Sequence, residues 1–389
     1  MSQPICKNRE SFDKRETLRL VLHREIPDDE VLARQWNELV WQMERPEVFY
    51  TFEWALAVSR AYRDSITPLL ILAYERDSLV GVVALATDKA RRETFFLAKA
   101  TADYCDFVSS PARRPEFVEL VFDELRRLKM SALVAANLPA DSATSRALTV
   151  AAEAHGYIAF TRPAFRCAQI VMGSPVERRN LRNLVVGRKA LRYFLRGLEK
   201  HGPVSIDHLK SGVSLRTGLP EFVQMHIARF SAAGRQSNLA HPLRQAFLAE
   251  LAALLSAANW IVLTRLRVGD RSVAWNYGFR FAGSWFYYQP TFDGQWRQFS
   301  PGFCLLSKIV EAGCNDPEID RVDMGLGAEG YKERFATSTR QTLDITATAS
   351  TARYLKEAAR YHVAAAIKSS PALEHGVRRV LGRVPAGGR

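Results

Sequence analysis

Apolar positions along the chain alternate between two periods. Residues 28–44 place Val31, Leu32, Trp36, Leu39, Val40 and Met43 at helical spacing, and Trp54, Leu56, Ala57 and Tyr62 continue in a second helix. From Pro68 the period shortens: PLLILAY, the turn ERDS, LVGVVALA and then TFFLAKA read as three strands. After DYCDFVSSP, an amphipathic helix runs through Phe117, Leu120, Val121, Leu125 and Leu128. SALVAANL reads as a buried strand, residues 145–156 as a helix closing at Gly156, and FRCAQIVM as a strand. A basic stretch from about 177 to 201 reads as one helix ending at His201-Gly202. The strand VSIDHL and helices at 219–232 and 242–258 follow.

The order of the first half then returns. WIVLTRLRV, the turn GDRS, SVAWNYGFRF and SWFYYQPTF are three strands, and RQFSPG opens a helix through Leu305, Leu306, Ile309 and Val310. IDRVDMG and TLDITATA are the last two strands. Asp77 and Asp270 mark corresponding turns 193 residues apart, and Ser110-Pro111 and Ser300-Pro301 mark corresponding loops 190 apart. Two agreeing spacings indicate a duplicated unit. The division expected is 1–17 disordered, 18–176 and 203–350 as the two units, 177–202 as a basic connecting helix, and 351–389 as a basic helical or flexible tail.

Length and composition set the class. At 389 residues, 47% hydrophobic and 24% charged, the chain is an ordinary globular protein of two-domain size. Its 5 cysteines are scattered without a CxxC pair, which points to reduced thiols and no metal. The amino-terminal segment has no apolar run of signal-peptide type, and a cytoplasmic location is expected. The net charge of +13 is concentrated in 177–201 and 351–389; outside them the chain is nearly neutral. Such patches suit polyanions. The tail, with Val363, Ile367, Val377, Val380 and Leu381 among Lys and Arg, fits either an anionic inner-membrane surface or a frayed end. No helix-turn-helix or zinc-finger pattern accompanies the charge, so sequence-specific DNA binding is not expected.

Chemistry concentrates in the second unit. In RQFSPG, the amides and positive dipole end of a helix start suit phosphate, Gly302 admits a close ligand, and Arg297 adds a charge. The same residues are also good helix-start residues without any ligand. This loop resembles the Arg/Gln-x-x-Gly-x-Gly/Ala pyrophosphate loop of GNAT acyltransferases, with Ser300 in place of the first glycine. VFYTFEWALAVSRAY, LRYFLRGLEKHGPV, WFYYQPTFD, SPGFCLLSKIVEAG and VDMGLGAEGYKERFA resemble acetyltransferase-like proteins of bacterial cellulose and exopolysaccharide synthesis (the CelD/BcsL group), over roughly residues 30–345. That group is related to the tandem-GNAT Fem-type aminoacyl ligases. The resemblance implies an α+β fold of tandem GNAT-like domains, each a mixed sheet flanked by helices. It further implies direct transfer of an acyl group, usually acetyl from acetyl-CoA, to an amine or hydroxyl. The thioester would enter between SWFYYQPTF and IDRVDMG.

On that expectation the acyl-CoA contacts are Arg297, Gln298, Ser300, Pro301, Gly302 and Phe303. Asp323 fits a general base and equally a cap for the Gly325 turn. Tyr288 fits either acceptor orientation or core packing. Tyr331 and Lys332, after a Gly-rich turn, fit an acid and an anion ligand; the Fem-type Tyr/Phe-Lys pair adds to this. Acceptor contacts are sought at Asp103, Tyr104 and Asp106 in the first, degenerate unit, and at His226, Arg229 and Asp293 in the second. His226 and Arg229 also read as a core or solvated pair, and Asp293 as a turn closer. Gly325–Gly330 imitates a dinucleotide fingerprint, but too little chain follows Asp344 to complete that fold. The expected acceptor is a sugar or polysaccharide precursor. Two alternatives stay open: a Fem-like ligase using aminoacyl-tRNA, motivated by the basic helix, and a non-catalytic scaffold for exopolysaccharide synthesis, motivated by Ser300 and the tail.

Overall fold

The computed structural model describes residues 18–327 and 330–369. The segment 1–17 and the tail beyond Ser369 therefore lie outside the described residues. The first half runs β1 (Arg19–His23), α1 (Glu30–Trp41), α2 (Phe52–Ala61), β2 (Thr67–Glu75), β3 (Ser78–Asp88), β4 (Glu93–Phe96), β5 (Val108–Ser109), α3 (Arg114–Arg127), β6 (Ala132–Pro139), α4 (Ala143–Ala154) and β7 (Ile158–Val171). Two connecting helices follow, α5 (Pro175–Val186) and α6 (Lys189–Glu199). The second half runs β8 (Val204–Leu209), α7 (Gly212–Ala232), α8 (Pro242–Ala257), β9 (Ile261–Val268), β10 (Arg271–Phe281), β11 (Ser284–Phe292), a 3-10 turn (Gly294–Phe299), α9 (Pro301–Asn315), β12 (Arg321–Asp323), the one-turn α10 (Gly330–Glu333), β13 (Ser338–Thr348) and α11 (Thr351–Ser369).

Local sequence explains most boundaries. Asp29 starts α1 by accepting from the Val31 and Leu32 amides at 2.8 and 2.9 Å, and Leu32, Trp36, Leu39 and Val40 bury the resulting stripe. The basic stretch is two helices rather than one. Gly187 ends α5, and Arg188 turns extended to donate to the Arg334 carbonyl at 2.9 Å and to cover the Phe335 ring at 4.4 Å. Part of its charge is structural: Arg178 donates to the Asp316 carbonyl at 2.9 Å, near the end of α9. No helix among the described residues is long and apolar enough to cross a membrane.

The halves repeat one plan. β1–β2–β3–β4 and β8–β9–β10–β11 are antiparallel meanders, and β4 and β11 each gain a parallel neighbour, β6 and β12. They join into a single sheet in the order β1-β2-β3-β4-β6-β13-β7-β12-β11-β10-β9-β8. The closing strands are exchanged: β13, from the second half, pairs with β6, while the end of β7 pairs with β12. β7 and β13 also pair with each other along nearly their whole length, from Ser338↔Gln169 to Thr348↔Ile158.

Candidate active site

The two parallel strands of the second half part early. β11 and β12 pair only from Ser284↔Arg321 to Phe286↔Asp323, whereas β11 continues to Phe292, held on its other side by β10. The cause is local. Asp323 Oδ1 accepts from the Gly325 amide at 2.8 Å, Gly325 takes φ +66°, and the Met324 amide bonds to the Ala168 carbonyl at 3.0 Å. The chain thus peels away from β11 to follow β7. Beyond Phe286, β11 keeps its pairing with β10 but none with β12, so a gap opens between the two parallel strands.

The N-terminus of α9 stands at the end of β11. Ser300 is left-handed (φ 46°, ψ 53°), and its side chain makes no cap bond. A glycine takes that conformation without strain, whereas serine loses about 1–2 kcal/mol there. This explains why a glycine occupies the place in the pattern that the loop resembles. Pro301 has no amide hydrogen and the Cys304 amide bonds back to Ser300 at 3.1 Å, so the Gly302 and Phe303 amides are the open donors. Arg297 and Gln298 lie exposed on the preceding turn. A Cβ on Gly302 would sit 3.3 Å from the Phe292 ring, whose face the Arg229 guanidinium covers at 4.1 Å. Arg229 therefore stands beside this helix start, its guanidinium donating to the Pro290 carbonyl at 3.3 Å, while its charge is still felt by His226. α6 abuts the same turn through Gly197 against Phe299, with Lys189, Arg192, Arg196 and Lys200 exposed and without acidic partners among the described residues.

In the first half the corresponding separation of β4 from β6 is filled by its own chain. The Cys105 amide bonds to the Asn137 carbonyl at 3.1 Å, and Asn137 Nδ2 donates to the Ala102 carbonyl at 3.1 Å. This plug reaches across to the second half. Tyr104 Oη donates to Asp323 Oδ2 at 2.9 Å, and Gln169 Nε2 donates to the same oxygen at 2.6 Å. Asp323 is 1% exposed and takes a backbone bond at its other oxygen, so it both caps the turn and ties the halves together. Asp103 is half-buried against Gly325. Burial and the neighbouring Asp323 push its carboxyl up to about 7, against Lys332, the Leu326 amide and Arg244.

Around this point lie Tyr288 and Lys332. Tyr288 Oη accepts from Arg244 at 2.7 Å and donates to the Thr101 carbonyl, within a ring cluster of Phe49, Trp54, Tyr277 and Phe279. Burial raises its phenol. Lys332 is buried, with Nζ donating to the Leu326 carbonyl at 2.9 Å, and Tyr331 beside it is half-buried. Three other candidates are held elsewhere. Asp106 is buried beside Arg114, Ser142 and Thr144. Asp293 accepts from the Gln295 amide at 3.0 Å, closing its turn. His226 bonds Ser237 at 2.8 Å and stacks on Phe230, and burial beside Arg229 and Arg244 lowers its pKa to about 4, leaving it neutral.

Sequence reasoning missed Gln169, Arg244, Glu47 and Arg340. Arg244 left a trace: it falls on the stripe that Phe247, Leu248, Leu251 and Leu255 bury, an odd place for a cation. Its Nε has no partner among the described residues, while its other nitrogens donate to the Ala100 carbonyl at 3.3 Å and to Tyr288 at 2.7 Å, with Tyr62 also near.

A meander and a parallel pair, present in both halves, with a helix start at the mouth of the second pair, define a tandem GNAT-like fold. Residues 186–333 match the family model described as acetyltransferase (GNAT) domain. Among solved structures the fold resembles FemX (TM-score 0.56, 10% identity, covering 80% of this chain and 95% of that one). It also resembles L-PGS from Bacillus licheniformis (TM-score 0.52, 9% identity, 84% and 93%) and a C-terminal DUF2156 domain from Agrobacterium fabrum (TM-score 0.51, 10% identity, 82% and 92%). No curated protein sequence matches the chain.

Proposed function

We propose that the second half binds an acyl-CoA, in first place acetyl-CoA, and passes its acyl group directly to an amine or hydroxyl. The observation that carries this reading is the parting of β11 from β12 beside the open amides of Gly302 and Phe303. The diphosphate would sit on those amides with Arg297 and Gln298 near it, and the thioester arm would lie in the gap, its carbonyl facing the parted stretch of β11. The plugged cleft of the first half fits a scaffold that supplies side chains to its partner. A sugar or polysaccharide precursor is the acceptor favoured by the CelD/BcsL resemblance. The outward Leu355 and Val363 of α11, among Lys356 and Arg360, fit attachment to an anionic membrane face.

Isothermal calorimetry with acetyl-CoA tests the reading. Arg297→Ala is expected to weaken binding by about 1.5–3 kcal/mol, the worth of one charge-assisted contact; undiminished affinity would remove Arg297 from the site. A second reading, transfer of an aminoacyl group from aminoacyl-tRNA, is favoured by the exposed basic face of α6 beside the same helix start. It expects tRNA to be retained at low salt and released steeply as salt rises. No retention at low salt excludes it.

A further inference from the structure

The site contains two neighbouring carboxylates in unlike settings. Asp323 is closed off: Tyr104 and Gln169 both donate to one of its oxygens and the Gly325 amide to the other, so neither oxygen is left open to an acceptor. Asp103 is different. It is half-buried, takes no hydrogen bond from a side chain among the described residues, and occupies the space a Cβ on Gly325 would need. Tyr288, on the parted stretch of β11, lies close enough for its phenol to feel the Asp103 charge. Asp103 therefore stands between the turn that ends β12 and the parted stretch of β11, the two walls of the gap.

We propose that Asp103, contributed by the first half, takes the proton from the acceptor in the cleft of the second half, and that Asp323 is a positioning residue that fixes Tyr104 and the Gly325 turn around it. This rests on the acyl-transfer reading above. The acceptor nitrogen or oxygen bonds to the thioester carbonyl carbon as its proton passes to an Asp103 carboxylate oxygen. The carbon–sulfur bond breaks with its electron pair on sulfur, and the proton returns from Asp103 through solvent to give the free thiol of CoA.

The surroundings suit that role. The groups facing Asp103 are Asp323 from β12, Lys332 from α10, Arg244 from α8 and Tyr288 from β11, with the thiols of Cys105 and Cys167 on the plug and β7. Their balance with burial sets the carboxyl at about 7, where a base is both available and strong enough to pull. Because the ionised form is the working one, turnover rises as pH passes upward through that value.

The test uses the full chain, acetyl-CoA, and two probe acceptors, glucosamine and hydroxylamine, the second of which needs little help in losing its proton. Thiol release is followed from pH 5.5 to 9, and acetyl-CoA affinity by calorimetry. Asp103→Asn is expected to keep acetyl-CoA affinity, to lose about 100-fold or more in turnover of glucosamine but far less with hydroxylamine, and to lose the ionisation near neutrality. Asp103→Ala is the second variant, with turnover expected to recover in added formate. Turnover of Asp103→Asn within about threefold of wild type with an unchanged pH profile overturns the proposal, as does a folded Asp103→Ala indifferent to formate. Failure of the wild type to bind acetyl-CoA sinks the underlying acyl-transfer reading instead, so the two failures are told apart.

Discussion

Arg340→Met is expected to destabilise the folded chain by about 3–5 kcal/mol, because it strips the partner from a carboxylate with no access to water. Arg340 lies on the exchanged strand β13 and donates to Glu47 of the first half; their side chains are 5% and 3% exposed. Its guanidinium also bonds Asp141 at 3.0 Å and stacks 4.6 Å from the Tyr104 ring. Methionine keeps the apolar stem and none of these bonds. Burial already lifts the Glu47 carboxyl to about 7 in spite of Arg340. A carboxyl whose folded pKa lies above its unfolded value binds more protons in the folded state, so the fold loses stability as pH rises through that window. Removing Arg340 raises the folded pKa further, so the deficit is larger at pH 8 than at pH 5.5. Urea unfolding at the two pH values reads this directly. A variant with wild-type midpoints at both would show that the pair contributes nothing, and Glu47→Gln combined with Arg340→Met should recover much of the loss.

Gly302→Glu separates helix stability from ligand binding. A carboxylate in the first turn of a helix suits the positive dipole end, so the melting temperature is expected to hold or rise slightly. Acetyl-CoA affinity is expected to fall about 100-fold or more, since the new charge confronts a diphosphate at the amides meant to hold it. Gly302→Ala is the control. Its Cβ would stand 3.3 Å from Phe292, so a ring shift of a few tenths of an ångström admits it and affinity should change little. Calorimetry with all three proteins decides the matter: a glutamate variant that binds acetyl-CoA as wild type does would place the diphosphate elsewhere.

What the sequence made legible was what short-range pattern encodes. The meanders, their turns at Asp77 and Asp270, and the helix start at Ser300-Pro301 follow from alternation, turn residues and capping chemistry within a few positions. β1 was missed because Leu20, Val21 and Leu22 form too short a run to stand out beside a polar leader. The break between α5 and α6 was missed because Gly187 matters through Arg188 finding Phe335, more than a hundred residues on. The site was the least legible part. Asp103, Asp323 and Lys332 could each be singled out, but nothing local says that the plug carrying Asp103 turns against the Gly325 turn, or that Tyr104 reaches a partner 219 positions away. Asp106 adjoins the same plug in sequence, yet chain direction carries it to Arg114.

The exchanged strands set a timetable for synthesis. β6 is complete once Pro139 has emerged, but its second edge has no native neighbour until Ser338–Thr348 leaves the ribosome. At about 5–20 residues per second that interval is roughly 10–40 s. During it the nascent chain presents the bare flank of Ala132–Pro139, an apolar template open to any passing strand. β7 waits as well, since both of its neighbours, β12 and β13, come from the second half, so the middle of the sheet closes only when the last strand arrives.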